Sequence, residues 1–146
     1  MSTYSEQLQH PKWQKKRLEI LQRDNFSCCL CSDKETQLQI HHKRYVNGKD
    51  VWDYDSNDLQ TLCKRCHTIA ESLKGTGEAP LVCKNMGINA DGIIMLCIAA
   101  DRENMLSVNI YSVGNNQVKH IITIGEKRML AIMDLFDLAE GKLNKV

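Results

Sequence analysis

The stretch CCLCSDKETQLQIHHKRY, residues 28 to 45, places three cysteines in four positions and then two adjacent histidines. Further on, LCKRCH supplies a second C-x-x-C and a third histidine. Between Cys28-x-x-Cys31 and Cys63-x-x-Cys66 lie 31 residues. Each C-x-x-C turn aims two thiolates at one point, and two turns supply the four soft ligands that tetrahedral zinc prefers. Buried free cysteines, which behave as small hydrophobes, are the plain alternative, and two matched pairs weigh against it. Cys29 is read as a bystander because Cys29-x-Cys31 is a tighter turn. Cys83 and Cys97 stand in apolar runs and are read as core residues. A small, loop-rich unit also needs a staple of this kind.

The histidines carry a different chemistry. Imidazole titrates near neutral pH, so it serves as a general base or, neutral, as a metal ligand. Adjacent residues at a strand end point to opposite sides, so His41 and His42 cannot share one role. A lone histidine is more often a surface or core-edge residue.

Taken together, HPKWQKKRLEILQRDNFSCCLC, IHHKRY and DLQTLCKRCH resemble the HNH endonuclease family over residues 4 to 74. The resemblance rests on order: a W-x-x-x-R helix, C-x-x-C, a double histidine ending a strand, then D-L-x-x-L-C-x-x-C-H. It implies the ββα-metal fold, a β-hairpin and helix holding one catalytic divalent ion beside a four-cysteine structural zinc. It further implies hydrolysis of DNA phosphodiester bonds, leaving 5′ phosphate and 3′ hydroxyl. In that frame His41 and His67 ligate the ion and His42 is the general base for the attacking water. The family's middle Asn falls on Asp58, counted back from L-x-x-L-C, with Asn57 one position out of register. Asp58 would orient the base or ligate a hard cation such as Mg²⁺, with Mn²⁺ or Ni²⁺ as alternatives. Some members carry a further His four residues after the helix His. Here that place is Glu71, one turn from His67 on the same helix face, either a ligand or an ordinary exposed helix residue. Asp53 and Asp55 are read as solvated turn residues.

A nuclease also needs phosphate contacts. Lys12, Lys15, Lys16, Arg17, Arg44, Lys64 and Arg65 are the candidates, and each is as readily a solvated surface residue. Tyr45 and Trp52 are expected to pack around the knot rather than to stack on bases. The alternative to cleavage is a zinc-dependent DNA-binding or regulatory module without activity, against which three retained histidines weigh.

Several elements must position these groups. KWQKKRLEILQRDN after Pro11 reads as a helix with Trp13, Leu18, Ile20 and Leu21 on its apolar face. QLQIHH reads as a short strand, VNGKDVWDYDSND as turns, and Leu59 to Leu73 as a helix ending near Gly75. The expected fold class is α+β, with the nuclease domain at residues 1–75 and a linker at 76–80. Residues 81–146 read as a three-stranded meander of GIIMLCIAA, LSVNIYSV and VKHIITI, then a helix over GEKRMLAIMDLFDLAEG. That helix would be capped by Thr123 and Glu126 at one end and Gly141 at the other. A lone sheet of three strands leaves open edges, so this half suits dimerisation or target selection. His120 has no assigned role.

The bulk numbers agree with this picture. The net charge is +1 over 146 residues, so no global basic field exists, although KWQKKRLEILQR is locally basic. Seven cysteines form an odd count, and neither an apolar leader nor a membrane-length run is present. The expectation is therefore a cytoplasmic protein using its cysteines for metal.

Overall fold

The computed structural model describes residues 2–90, 92–103, 105–114 and 117–124. The chain is α+β and divides into two compact units, 1–67 and 68–146.

The first unit opens with two helices, α1 (Tyr4–Gln9) and α2 (Pro11–Arg23). Thr3 and Glu6 form a capping box that starts α1. His10 precedes a proline and is therefore held extended, at φ −69° and ψ 140°. It ends α1 and caps α2, its ring accepting from the Lys12 N–H. Helix α2 buries Trp13, Ile20 and Leu21, whereas Leu18 is half exposed and lies off the expected apolar face.

The strand β1 (Leu38–His42) pairs antiparallel with β2 (Leu59–Cys63), His41 opposite Gln60 and His42 opposite Leu59. A short 3₁₀ turn, Ser56–Asp58, leads into β2, and helix α3 (Lys64–Leu73) leaves it. Of the helix expected from Leu59 to Leu73, the first five residues are instead this strand. A short apolar run cannot be told from a helical turn by pattern alone. Pairing with β1 decides it, and it fully buries Leu59, Thr61, Leu62 and Cys63. Trp13, Ile20, Val51, Tyr54 and Leu59 form the core, with Leu8, Ile40 and Trp52 packed against it.

Arg23 and Asp24 tie the end of α2 to β2. The Arg23 guanidinium donates to the Leu59 carbonyl at 2.8 Å, and the Asp24 carboxylate accepts the Thr61 N–H at 2.9 Å. The chain then turns through Asn25 and Phe26, both left-handed (φ 55° and 51°), into the first cysteine turn.

The second unit holds a four-stranded antiparallel meander in the order β3 (Ala79–Asn89), β4 (Gly92–Ala100), β5 (Leu106–Gly114), β6 (Gln117–Ile124). Among the described residues four strands stand where three were expected. The additional strand, β3, begins inside the expected linker, and its bulges at Pro80/Val82 and Asn85/Gly87 break the alternation that would reveal it. Cys83 and Cys97 face each other in register and are both buried, as expected of core residues. Gly92 has φ 144°, and a Cβ there would lie 2.4 Å from the Val113 carbonyl oxygen. The expected helix over residues 125–141 lies outside the described residues. Among the described residues no helix is long and apolar enough to cross a membrane.

Candidate metal centre

Among the described residues, two groups of side chains can hold a metal ion. The first is Cys28, Cys31, Cys63 and Cys66, whose Sγ atoms all lie within 4.8 Å of one another. The first cysteine turn is closed by the Ser32 N–H donating to the Cys28 carbonyl at 2.9 Å, with Ser32 left-handed at φ 64°. It is fixed to β2 through the Cys29 N–H, which donates to the Thr61 carbonyl at 2.9 Å. The second turn is the junction of β2 and α3, so Cys63 ends a strand and Cys66 sits in the first helical turn.

Cys31 Sγ and Cys63 Sγ are 3.7 Å apart. A zinc–sulfur bond of about 2.3 Å in tetrahedral geometry places sulfurs roughly 3.8 Å apart. The thiols are thus already spaced for an ion such as zinc. Hydrogen bonding among them, from Cys31 foremost, holds the Cys28 thiol far below its ordinary range. Cys28 in turn pushes Cys31 upward. One thiolate accepting from its neighbours is the pattern that a cation would complete. Cys29 is exposed and outside the group, as its spacing suggested.

The second group is His41, His67 and Glu71, again with ligand atoms within 4.8 Å of one another. The His41 and His67 rings meet edge to face, centroids 5.3 Å apart and planes at 88°. Glu71 follows His67 by one turn of the unbroken helix α3. Two imidazoles and a carboxylate are a donor set suited to divalent first-row ions.

His42 points the other way, as the strand geometry requires. It is 2% exposed. Its ring lies near-parallel to those of Trp13 (centroids 5.3 Å, 19°) and Tyr45 (5.3 Å, 26°), with Tyr54 edge-on at 4.8 Å. His42 Nε2 lies 3.1 Å from the Val51 carbonyl oxygen. A carbonyl can only accept, so Nε2 is the donor in this bond, and in a neutral ring Nδ1 would be the nitrogen able to take a proton. Val51 and Tyr54 were not singled out as part of this site. A backbone carbonyl leaves no mark in a sequence, and Tyr54 is hidden among turn residues.

Asp58 lies outside this second group. Its carboxylate accepts from Arg44 at 3.0 Å, and its carbonyl accepts the Lys43 N–H where the hairpin ends. Asn57 is exposed, its N–H donating to the Asp55 carboxylate that caps the 3₁₀ turn. Asp55 therefore has a structural task, while Asp53 is simply exposed.

The basic residues divide. Lys16 donates to Ser56 at 2.8 Å, and Arg65 pairs with Asp33 at 3.4 Å, so both help to hold the fold. Lys12 lies over the Trp52 ring at 5.7 Å from its centroid. Lys12, Lys15 and Lys64 are exposed, Arg17 is half-buried, and the Arg44 side chain is 69% exposed. No protein-family model, curated protein or solved structure matches this chain.

Proposed function

We propose that this protein is a metal-dependent endonuclease of the HNH type that hydrolyses DNA phosphodiester bonds. The observation that carries the reading is the divergence of His41 and His42. One joins His67 and Glu71 in a group able to hold an ion, and its neighbour is buried and hydrogen-bonded to the Val51 carbonyl. That pairing of a cation site with a fixed base is what phosphodiester hydrolysis requires.

In this reading the four cysteines hold zinc and act only as scaffold. His41, His67 and Glu71 hold the catalytic divalent ion, Mg²⁺, Mn²⁺ or Ni²⁺. Such an ion supplies charge neutralisation at the phosphate and at the departing oxygen. His42 Nδ1 takes the proton of the attacking water, and the Val51 carbonyl stabilises the imidazolium that results through Nε2–H. Asp58 acts through Arg44, holding that cation beside the hairpin end for a phosphate. Exposed Lys12, Lys15 and Lys64 add salt-dependent affinity.

A second reading has one observation in its favour. His42 is as buried as the hydrophobic core, which suits a structural histidine in a zinc-stapled DNA-binding module without activity. Supercoiled plasmid incubated with Mg²⁺, Mn²⁺ or Ni²⁺ separates the two. Nicking by the wild type that is lost in His42→Ala supports the nuclease. Binding without nicking in every metal supports the module.

A further inference from the structure

We infer that Gln7 is a positioning residue for His42, acting through the backbone of Val51. This rests on the nuclease reading above, in which His42 is the base, and it brings helix α1 into the site.

Val51 is 4% exposed, so its backbone N–H has to find a partner inside the protein. Residues 43–49 before it are exposed, and Val51 itself lies in a turn, where no strand ladder serves it. The partner comes from α1. The Val51 N–H donates to Gln7 Oε1 at 3.0 Å, and Gln7 Nε2 donates to the Asp50 carboxylate, also at 3.0 Å. A backbone N–H can only donate and an ionised carboxylate can only accept, so both contacts demand the same orientation of the carboxamide. One side chain thus grips two consecutive residues that follow it by 43 and 44 positions.

The grip matters for what lies on the other side of Val51. Its carbonyl accepts from His42 Nε2 at 3.1 Å. A single residue therefore joins α1 to the imidazole, its N–H held by Gln7 and its C=O holding His42. Helix α1 is itself anchored, by the Thr3–Glu6 capping box at its start and by Leu8, which packs against the core that contains Val51. Without the carboxamide, the buried Val51 N–H loses its acceptor, and the turn has to shift to satisfy it. The carbonyl shifts with it, because both groups flank one Cα. A reacting group misplaced by about 1 Å can lose about 10²-fold in rate. A glutamine that merely fastened α1 would alter stability and leave the imidazole of the folded protein unchanged.

The test uses the full chain with zinc retained. Gln7→Met keeps the length of the side chain and removes both hydrogen bonds. Gln7→Glu combined with Asp50→Asn exchanges the two polar ends, so that the introduced carboxylate accepts from the Val51 N–H and from the introduced amide. NMR of isotope-labelled histidine follows solvent exchange of the His42 Nε2 proton, a resonance identified by its loss in His42→Ala. Single-turnover cleavage follows the reaction. Gln7→Met should exchange that proton roughly tenfold faster or more and cut roughly 10- to 100-fold more slowly, with DNA affinity in the absence of added divalent ion unchanged. The double variant should recover both rates. Retained zinc and an unchanged circular dichroism spectrum confirm that each variant is folded. Wild-type exchange and cleavage in Gln7→Met, or a folded double variant that recovers neither, overturns the assignment while the nuclease reading stands. If the wild type cuts DNA with no metal, the nuclease reading falls and the catalytic role with it, and proton exchange still decides whether Gln7 holds the ring.

Discussion

His42 and Val51 are joined by a buried hydrogen bond, Nε2 to carbonyl oxygen, 3.1 Å long. The bond spans nine residues of turn-rich chain and gives Nε2 the donor role. Through it the backbone of the loop after β1 holds the imidazole at the strand end, although Val51 contributes no side chain to that contact.

His42→Ala should lower cleavage by about 10²–10⁴, the contribution of a general base. Zinc content and DNA binding should persist, because neither metal group includes this residue. Single-turnover cleavage of a labelled strand, read beside zinc analysis, is the measurement. A wild-type rate in His42→Ala would remove this residue from the mechanism.

The zinc site makes a separate prediction. Purified protein should hold about one tightly bound zinc in the four-thiolate site. Cys63→Ser should lose it and unfold the first unit, since Cys63 joins β2 to α3 and is fully buried. Cys29→Ser should keep both metal and fold. Metal analysis with circular dichroism before and after chelation reads both outcomes, and unchanged zinc in Cys63→Ser would end the assignment.

The ligands of the second group can be ranked by metal titration of cleavage. Glu71→Ala should raise the half-activating concentration of Mn²⁺ by roughly tenfold or more, as losing a ligand costs at least what losing its supporting partner does. Asp58→Ala should move that midpoint little, because Asp58 pairs with Arg44 outside the group. Its effect should appear as weaker DNA binding. A midpoint shifted by Asp58→Ala and not by Glu71→Ala would restore Asp58 as the ligand.

Much of this site was legible because holding a metal ion requires particular residue types at particular spacings. Two C-x-x-C turns allow few arrangements, and the structure brings their four cysteines together, while of the histidine pair it places His41 beside His67 and Glu71 and leaves His42 outside both groups. What was not legible depends on long-range pairing. Leu59–Cys63 reads equally as helix until β1 supplies its hydrogen bonds. Likewise β3 is obscured by two bulges that shift its alternation. The environment of His42 combines a carbonyl with rings from three separate segments, and no local pattern announces that meeting. Leu18 was misplaced because α2 buries a narrower face than its composition suggests.

In the second unit, Gly92→Ala should destabilise by about 1–3 kcal/mol. The φ of 144° is hostile to an L side chain, and the new methyl would meet the Val113 carbonyl, a backbone atom that cannot swing away. A lower urea midpoint with an unchanged slope is the expected result. Wild-type stability would mean that the β3–β4 turn can relax at no cost.

Asp24 predicts a pH dependence. Burial acts to raise its pKa, but hydrogen bonds from Arg23 and Thr61 outweigh it, and the group sits below the ordinary aspartate value. A carboxyl depressed in the folded state contributes stability that is present above its unfolded pKa, near 4. That contribution is lost as pH falls from there through the folded value. Above about pH 5 the wild type should therefore be more stable than Asp24→Asn, which keeps an acceptor for the Thr61 N–H but loses the ion pair with Arg23 at 2.8 Å. Below that range the two should converge, because the wild-type carboxyl has become neutral as well. Zinc thiolates also take up protons in acid, but they do so in both proteins and cancel in the difference. Urea midpoints of both proteins from pH 7 down to pH 3 read this gap directly. A gap that stays constant as the pH falls would show that Asp24 stabilises the helix–strand junction by shape and not by charge.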